Sequence, residues 1–236
     1  PLGELIKFTA NLSPEKIIIG LGGSLTTDGG CGMAQSLGVK FYDNKNMLIK
    51  KPIGGADLLQ IRSINMKKIF KPNIPITVAC DVLNPLIGPN GAAYLYGPQK
   101  GFTSSQIHIL EKGLLNLSKI IYEKMGFNLQ NLMGAGTAGG LGAGLFTFLT
   151  KDLQSGIKII LDLIEFDKRI ENVDLCITGE GCLDKQSLQG KACIGIAKRA
   201  SLRKLPIIAI VGSNTLNLNQ YQKTGITSVI EIMGKL

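Results

Sequence analysis

The chain of 236 residues is long enough for one large α/β domain or two small ones, and its 44% apolar residues can form an extensive core. These values exclude a disordered tail and a small disulfide-stabilised protein. The 26 basic and 17 acidic residues give a net charge of +9, which favours anionic ligands. Because the basic residues are dispersed along the chain, nucleic-acid binding is not expected.

The first third of the chain predicts a helix, a strand, a glycine loop and a second helix. Apolar residues at intervals of three or four predict a helix over residues 2–12, and a β-branched run predicts a buried strand over 16–21. The loop 22–30 is rich in glycine and hydroxyl residues, and a helical segment follows it to Leu37. This order of elements can collect backbone N–H groups around an anion.

The middle of the chain predicts another buried strand over 75–80, which ends at Asp81. Helical spacing from about 103 to 125 predicts the longest helix, and the single histidine, His108, is interpreted as a surface or packing residue of that helix. The segment 134–144 has too much Gly and Ala for a membrane helix. We expect a packed or ligand-contacting glycine loop there.

The last third alternates helices and strands, which predicts a parallel sheet with crossover helices. The expected order is a helix over 157–171, a strand over 173–178, a glycine loop over 179–191, a helix over 191–202, and strands over 206–211 and 226–232.

The cysteine and histidine content excludes several kinds of site. Five cysteines without Cys-x-x-Cys spacing and one histidine make a zinc site and a Ser-His-Asp triad improbable. We therefore expect reduced thiols and a cytoplasmic protein, with no signal peptide and no membrane segment. The cysteines are Cys31, Cys80, Cys176, Cys182 and Cys193.

Four loops hold most of the Gly, Asp and hydroxyl residues: 22–30, 81–101, 134–144 and 179–191. Three of them follow predicted buried strands, where α/β proteins bind ligands. None contains the P-loop pattern, and the glycines after Gly20 are out of phase with a dinucleotide fingerprint. Phosphoryl transfer needs N–H donors, cations and carboxylates, all of which these loops contain. The alternative is that the glycines form tight turns and the aspartates cap helices.

Each candidate side chain has a functional and a structural interpretation. Asp28 could hold Mg²⁺, contact a substrate hydroxyl, or cap the helix that follows it. Asp81 could act in the same way beside Asn84, or open an Asx turn.

Three further candidates lie in the last of the four loops and one in the second. Glu180 and Asp184 are four residues apart in a predicted loop, where they could share a cation or one could act as a base. Lys191, at a predicted helix N-terminus, is opposed by the helix dipole and would be better placed against a phosphate. Lys100 lies in the second loop, where it could likewise contact a phosphate or be a structural residue.

Five segments of the chain resemble the bacterial type I glycerate kinases, in the same order and spacing through nearly the whole sequence. They are IIIGLGGSLTTDGGCGMAQSLGVKF (17–41), VACDVLNPLIGPNGAAYLYGPQKG (78–101), GAGTAGGLGAG (134–144), CITGEGCLDKQSLQGK (176–191) and PIIAIVGS (206–213).

The resemblance implies a two-domain α/β fold, with a flavodoxin-like parallel-sheet domain and an inserted mixed α/β domain. Residues 22–165 would form the inserted domain, and 1–21 with 166–236 would form part of the flavodoxin-like domain. The implied activity is ATP-dependent phosphorylation of D-glycerate to a phosphoglycerate, commonly 2-phosphoglycerate, with Mg²⁺.

The resemblance also implies roles for residues of the four loops. Catalytic roles fall on Asp81, Glu180, Asp184 and Lys191, with Asp81 and Asp184 as candidate magnesium ligands; which carboxylate binds the metal and which acts as base stays open. Substrate or nucleotide binding falls on Gly22, Gly23, Ser24, Thr27, Asp28, Gly29, Gly30, Asn84, Lys100, Gly136, Gly139, Gly140, Gly179, Gly181, Gln186 and Gly190.

The chain also departs from the family pattern. Cys182 stands where the family usually has Arg after Gly-Glu-Gly, and Cys193 stands where Pro is common after Gly-Lys-Ala. The family's N-terminal strand, its PDSFKGS-type and DGGEGT-type motifs and the last part of its C-terminal domain have no counterpart here. We therefore expect a truncated fold that is unstable or inactive alone. Alternatives are an inactive remnant that binds a small organic acid, and a kinase of a related sugar acid; the phosphorylated hydroxyl and the oligomeric state stay open.

Overall fold

The chain folds into two compact units, each with its own hydrophobic core and its own three-stranded sheet. The structure is a computed structural model that describes residues 2–185 and 187–233. The units are Pro1–Leu153 and Gln154–Leu236. Parallel strand pairs occur in both, which confirms the α/β class. The domain boundaries expected at residues 22 and 166 stay predictions.

The first unit contains five helices and five strands among its described residues, the last strand ending one residue beyond it. In chain order they are α1 (Leu2–Asn11), β1 (Ile17–Gly20), α2 (Cys31–Ser36), β2 (Lys40–Tyr42), β3 (Ser63–Asn65), β4 (Ile76–Ala79), α3 (Ala92–Tyr96), α4 (Ser104–Met125), α5 (Thr137–Phe148) and β5 (Leu153–Gln154).

Strands β1 and β4 bring the first two predicted loops together. They pair in parallel, with Ile17 opposite Ile76 and Gly20 opposite Ala79, in a sheet of order β1-β4-β5. Their β-branched residues favour extended chain, and Ile17, Ile19, Ile76 and Val78 are buried against α1 and α2. Because parallel strands end at the same edge of a sheet, the segments that start at Leu21 and Cys80 begin side by side.

Helix α4 is the main support of the first unit. Thr103 Oγ1 accepts a hydrogen bond from the Gln106 amide, and the Thr103 amide donates one to Gln106 Oε1, so a capping box begins the helix. Gly126 ends it with a φ of 75°. A buried stripe that includes Leu110, Leu114 and Leu117 faces the core, as the helical spacing predicted.

The glycine segment 134–144 is only partly the loop that we expected, because α5 begins within it. Helix α5 begins at Thr137, but Ala138, Gly139 and Gly140 have left-handed backbone angles that kink its first turn. Low helix propensity argues against a helix here, yet Leu145 and Phe148 are completely buried, and their packing outweighs that propensity.

Among its described residues, the second unit contains three parallel strands in the order β6-β7-β8, which confirms the predicted parallel sheet. Its elements are α6 (Gly156–Leu163), α7 (Phe166–Arg169), β6 (Cys176–Leu183), α8 (Ala192–Ser201), β7 (Ile207–Asn214), α9 (Leu218–Gln222) and β8 (Ser228–Glu231).

Two predictions for the second unit were wrong in detail. The single helix expected over 157–171 is divided at Glu165, which has a φ of 51°. Strand β6 continues five residues beyond the expected end at Thr178, so residues 179–183 are strand rather than loop. The cause is the partner strand, since Glu180 pairs with Val211 and Cys182 with Ser213. Among the described residues, no helix has the length and apolarity needed to span a membrane.

Candidate functional site

Three of the four predicted loops meet around one cavity in the first unit. The cavity has a volume of about 360 Å³, at the small end of the range of about 300–1,000 Å³ for ligand pockets. Its lining comes from the loop after β1, the segment after β4 and the kinked start of α5: Leu21, Gly22, Gly23, Ser24, Leu25, Val82, Tyr96, Gln99, Lys100, Thr137, Ala138 and Gly139.

A second cavity, of about 750 Å³, lies beside α2 in the same unit and also includes Ser24 in its lining. It contains Asp28 and Gly30, but most of its other walls come from α2 and residues 48–53, where the sequence predicted no site. The smaller cavity is lined by the predicted residues Gly22, Gly23, Ser24, Lys100 and Gly139. We therefore centre the candidate site on the smaller cavity.

Asp28 acts as a cap at the start of α2. Its Oδ1 accepts a hydrogen bond from the Gly30 amide at 3.1 Å, and its Oδ2 accepts one from the Gly32 amide at 3.0 Å. The residue is only 7% exposed. The geometry supports the capping interpretation, since both carboxylate oxygens satisfy backbone N–H groups at a helix start.

Lys100 is a cation of the smaller cavity and is tied to the first loop. Its Nζ donates to the Thr26 carbonyl oxygen at 2.6 Å and lies 3.1 Å from Thr27 Oγ1. Burial lowers the pKa of Lys100, and the nearby Asp28 carboxylate opposes that shift. The ammonium group therefore crosslinks two of the predicted loops and faces the cavity that they form.

Asn84 and Thr137 join the second and third loops. The Thr137 hydroxyl lies 2.9 Å from the Val82 carbonyl oxygen and 3.3 Å from Asn84 Oδ1. The Tyr96 hydroxyl donates to the same Asn84 oxygen at 3.4 Å, and burial is the main cause of the raised pKa of Tyr96. Asn84 is buried, and its contacts with Thr137 and Tyr96 connect two residues that line the cavity.

Sequence reasoning missed three polar residues of the cavity, Tyr96, Gln99 and Thr137. All three lie inside segments that the sequence singled out, but polar side chains among glycines gave no spacing signal of their own. Asp81, in contrast, is exposed after β4 and does not line the cavity.

The predicted binding glycines divide into two groups by the space around them. A Cβ atom on Gly22, Gly23, Gly181 or Gly190 would meet nothing within 4 Å, so these positions are open to a ligand. A Cβ atom would lie 3.0 Å or less from neighbouring atoms at the other positions: Gly29, Gly30, Gly136, Gly139, Gly140 and Gly179. Those glycines allow close packing of the protein itself.

The second unit carries the remaining candidates. Glu180 lies on β6, and its Oε1 is buried without a hydrogen-bond partner among the residues that the structure describes. Asp184 follows the strand, and its Oδ1 accepts from the Ser187 amide at 2.9 Å. Because Glu180 lies within a strand rather than in a loop, a cation shared between Glu180 and Asp184 stays a prediction. Lys191 is exposed at the start of α8, as predicted.

Metal ligands are sparse in the described residues. Residues 2–185 and 187–233 contain no group of three or more His, Cys, Asp or Glu side chains arranged to hold a metal ion. The roles of Asp81 and Asp184 as magnesium ligands therefore stay predictions, and Gln186 lies outside the described residues.

Comparison with known proteins identifies the family. A sequence model of the Glycerate kinase family matches residues 1–236. The chain is 40% identical to a glycerate kinase of Bacillus subtilis over 98% of its own length, and 39% identical to a glycerate 2-kinase of Escherichia coli over 98%. It spans about 60% of the length of these relatives, 60% and 61% respectively.

A solved structure agrees with these relatives. The crystal structure of a provisionally assigned glycerate kinase 2 from Salmonella typhimurium LT2 superposes with a TM-score of 0.77 at 37% identity, over 98% of this chain and 60% of that one. Three separate similarities thus agree over nearly every residue, and the chain belongs to the glycerate kinase family.

Proposed function

We propose that the protein transfers the γ-phosphoryl group of ATP to D-glycerate and forms 2-phosphoglycerate. The observation that carries this proposal is the meeting of three predicted loops around one small cavity that contains an ammonium group and several hydroxyl and amide groups. Its family membership and the glycerate kinase and glycerate 2-kinase names of its relatives support the same reaction.

The cavity of the first unit suits the acid substrate. D-glycerate has one carboxylate and two hydroxyl groups, and it needs a cation and a few neutral donors and acceptors. Lys100 supplies the cation, while Ser24, Gln99 and Thr137 supply the neutral groups. The open backbone at Gly22 and Gly23 lets a ligand approach the main-chain N–H groups.

The phosphate-binding and proton-transfer roles stay with the residues that the sequence indicated. Lys191, exposed at the start of α8, would contact phosphate, and Glu180 or Asp184 would accept the hydroxyl proton. Because the described residues contain no group of three or more metal-ligating side chains, we expect Mg²⁺ to be held largely by phosphate and water, with Asp81 or Asp184 as a protein ligand. When bound, Mg²⁺ would neutralise charge on the transferring phosphoryl group.

The test is direct detection of product. Phosphorus NMR of the protein with Mg-ATP and D-glycerate should show 2-phosphoglycerate, and Lys100→Met should weaken D-glycerate binding at least about tenfold, the effect of losing one charge-assisted contact. Lys119→Met, which removes an exposed lysine from α4, is the matched control. Absence of any phosphorylated glycerate would contradict the proposed reaction.

Two alternatives predict different results. An inactive remnant that binds a small organic acid would be stabilised thermally by D-glycerate but not by Mg-ATP. A kinase of a related sugar acid would phosphorylate that acid faster than D-glycerate when both are tested side by side.

A cytoplasmic location is proposed from the thiols, since all five cysteines are free and a reducing compartment keeps them so.

A further inference from the structure

Glu111 makes an unusual contact on the buried side of α4. Its Oε1 accepts a hydrogen bond of 2.6 Å from the backbone amide of Gly88. Its Oε2 is buried and has no hydrogen-bond partner within the described part of the chain. One oxygen of this carboxylate therefore binds a turn that lies 23 residues earlier in the chain. Among the residues that the structure describes, the other oxygen is buried without a hydrogen bond that would offset its loss of hydration.

Burial of this carboxylate is unfavourable by itself. Burial raises the pKa of Glu111, and the Gly88 N–H and the charge of His108 only partly oppose that shift. An apolar residue of similar size would avoid the cost of desolvating a carboxylate. What the carboxylate provides instead is a short, charge-assisted hydrogen bond to one particular backbone amide.

The amide that Glu111 holds belongs to a turn centred on Gly88. Gly88 has a φ of 93°, and its carbonyl oxygen accepts from the Gly91 amide at 2.8 Å. The turn leads back to Pro85, whose carbonyl oxygen would lie 2.0 Å from a Cβ atom on Gly136. Segment 84–88 is thus packed on the glycine segment at one end and bound to α4 at the other.

Asn84 begins that segment and connects it to the cavity. Its backbone oxygen accepts from the Gly136 amide at 3.1 Å, and its side-chain oxygen lies 3.3 Å from the Thr137 hydroxyl, which lines the cavity. A shift of the turn at Gly88 would therefore reach Thr137 through four residues of chain.

We propose that Glu111 is a positioning residue: its bond to the Gly88 amide holds segment 84–88 in place, and that segment holds Thr137 at the wall of the cavity. The inference deepens the proposed function and rests on it, because it gives Glu111 an effect on D-glycerate binding without contact to the substrate.

The test compares Glu111→Ala and Glu111→Gln with a control on the same helix. Glu123→Ala removes an exposed carboxylate from α4 and should change nothing. Glu111→Ala should speed amide hydrogen exchange at Gly88 at least about tenfold and raise KM for D-glycerate about tenfold, with kcat changed less than about twofold. Glu111→Gln, which keeps a neutral acceptor, should recover most of both effects.

The outcomes separate this inference from a general loss of stability. A merely structural role would reduce the active fraction, so that kcat per mole of protein would fall while KM stayed constant, and that result would overturn the inference. Unchanged exchange at Gly88 in Glu111→Ala, or in Glu111→Gln if the alanine variant does not fold, would also overturn it.

A wild-type protein that neither binds nor phosphorylates D-glycerate would overturn the proposed function, and with it the role of Glu111 in substrate binding. The exchange rate at Gly88 is measured without substrate, so it still shows whether Glu111 holds the turn. The two failures are therefore distinguishable.

Discussion

Replacement of Gly139 by alanine tests whether the kinked glycine segment is a packing device. Gly139 lines the cavity, and the sequence alone marked it as a ligand-binding residue. In the structure, a Cβ atom at this position would lie 1.9 Å from the Thr26 carbonyl oxygen and 2.9 Å from the Thr27 Cα. The segment therefore approaches the first loop too closely for any side chain.

The expected destabilisation has two parts. Gly139 has a φ of 71°, and an alanine in the left-handed region costs about 1–2 kcal/mol. The overlap with backbone adds about 1–3 kcal/mol, at the upper end because the Thr26 main chain cannot rotate away as a side chain would. A backbone shift would also weaken the 3.2 Å hydrogen bond from the Gly29 amide to the Gly139 carbonyl oxygen. We expect a loss of about 3–5 kcal/mol in the free energy of unfolding.

Gly126→Ala is the matched control. Gly126 has a φ of 75°, but a Cβ atom there would meet nothing within 4 Å, so this variant measures the cost of the left-handed conformation alone. Urea denaturation followed by circular dichroism gives both losses, and their difference is the cost of the overlap. If Gly139→Ala lost no more stability than Gly126→Ala, the close approach to Thr26 would not exist as described.

Two further predictions concern ligand affinity at Gly22 and the contribution of Arg199 to stability. Gly22→Ala should stay within about 0.5 kcal/mol of the wild type in stability but bind D-glycerate more weakly. Gly20→Ala, at a position that is equally open but outside the cavity, should bind D-glycerate normally. Calorimetry measures both affinities, and equal values would exclude contact at Gly22. Arg199→Ala should lose about 1 kcal/mol at pH 7, a value reduced by solvent screening of its exposed partners Asp162 and Asp167. Arg199 lowers the pKa of both carboxyls, so this stabilisation is present above their ordinary value of 3.8 and disappears as the pH falls through the lower folded values. Thermal unfolding at pH 7 and pH 3 measures it, and an equal loss at both would contradict the pairing.

The elements that could be predicted from the sequence are those that periodicity controls. Helix α4 and strands β1 and β4 were expected within a few residues of their observed bounds, because apolar spacing determines which face is buried. Strand β6 was predicted too short, because its glycines suggested a loop while its partner strand β7 supplied the hydrogen bonds that keep it extended. Pairing partners distant in sequence leave no local signal. Helix α5 was missed for a similar reason, because the burial of Leu145 and Phe148 stabilises it against low local propensity.

The candidate site was predictable as a set of loops but not as a set of contacts. The sequence placed Lys100 and Ser24 among the binding residues, and both line the cavity. It could not show that Gly136 packs against the Pro85 backbone, because a glycine that admits a ligand and a glycine that admits a neighbouring backbone look the same in one sequence. Nor could it find Glu111, whose role depends on an amide that lies across the fold.

The glycine loop after β1 therefore contains two parts with different tasks. Residues 22–25 are open to the cavity, and a Cβ atom on either of their glycines would meet nothing. Residues 28–30 are buried: Asp28 uses both carboxylate oxygens to cap α2, while a Cβ atom on Gly30 would lie 2.9 Å from the Gly144 Cα. Because the second part is fixed to α2 and α5, the first part can present its backbone to a ligand from a rigid base. In this arrangement Asp28 supports the loop that we propose binds the substrate, and its carboxylate has less capacity left for a magnesium ion.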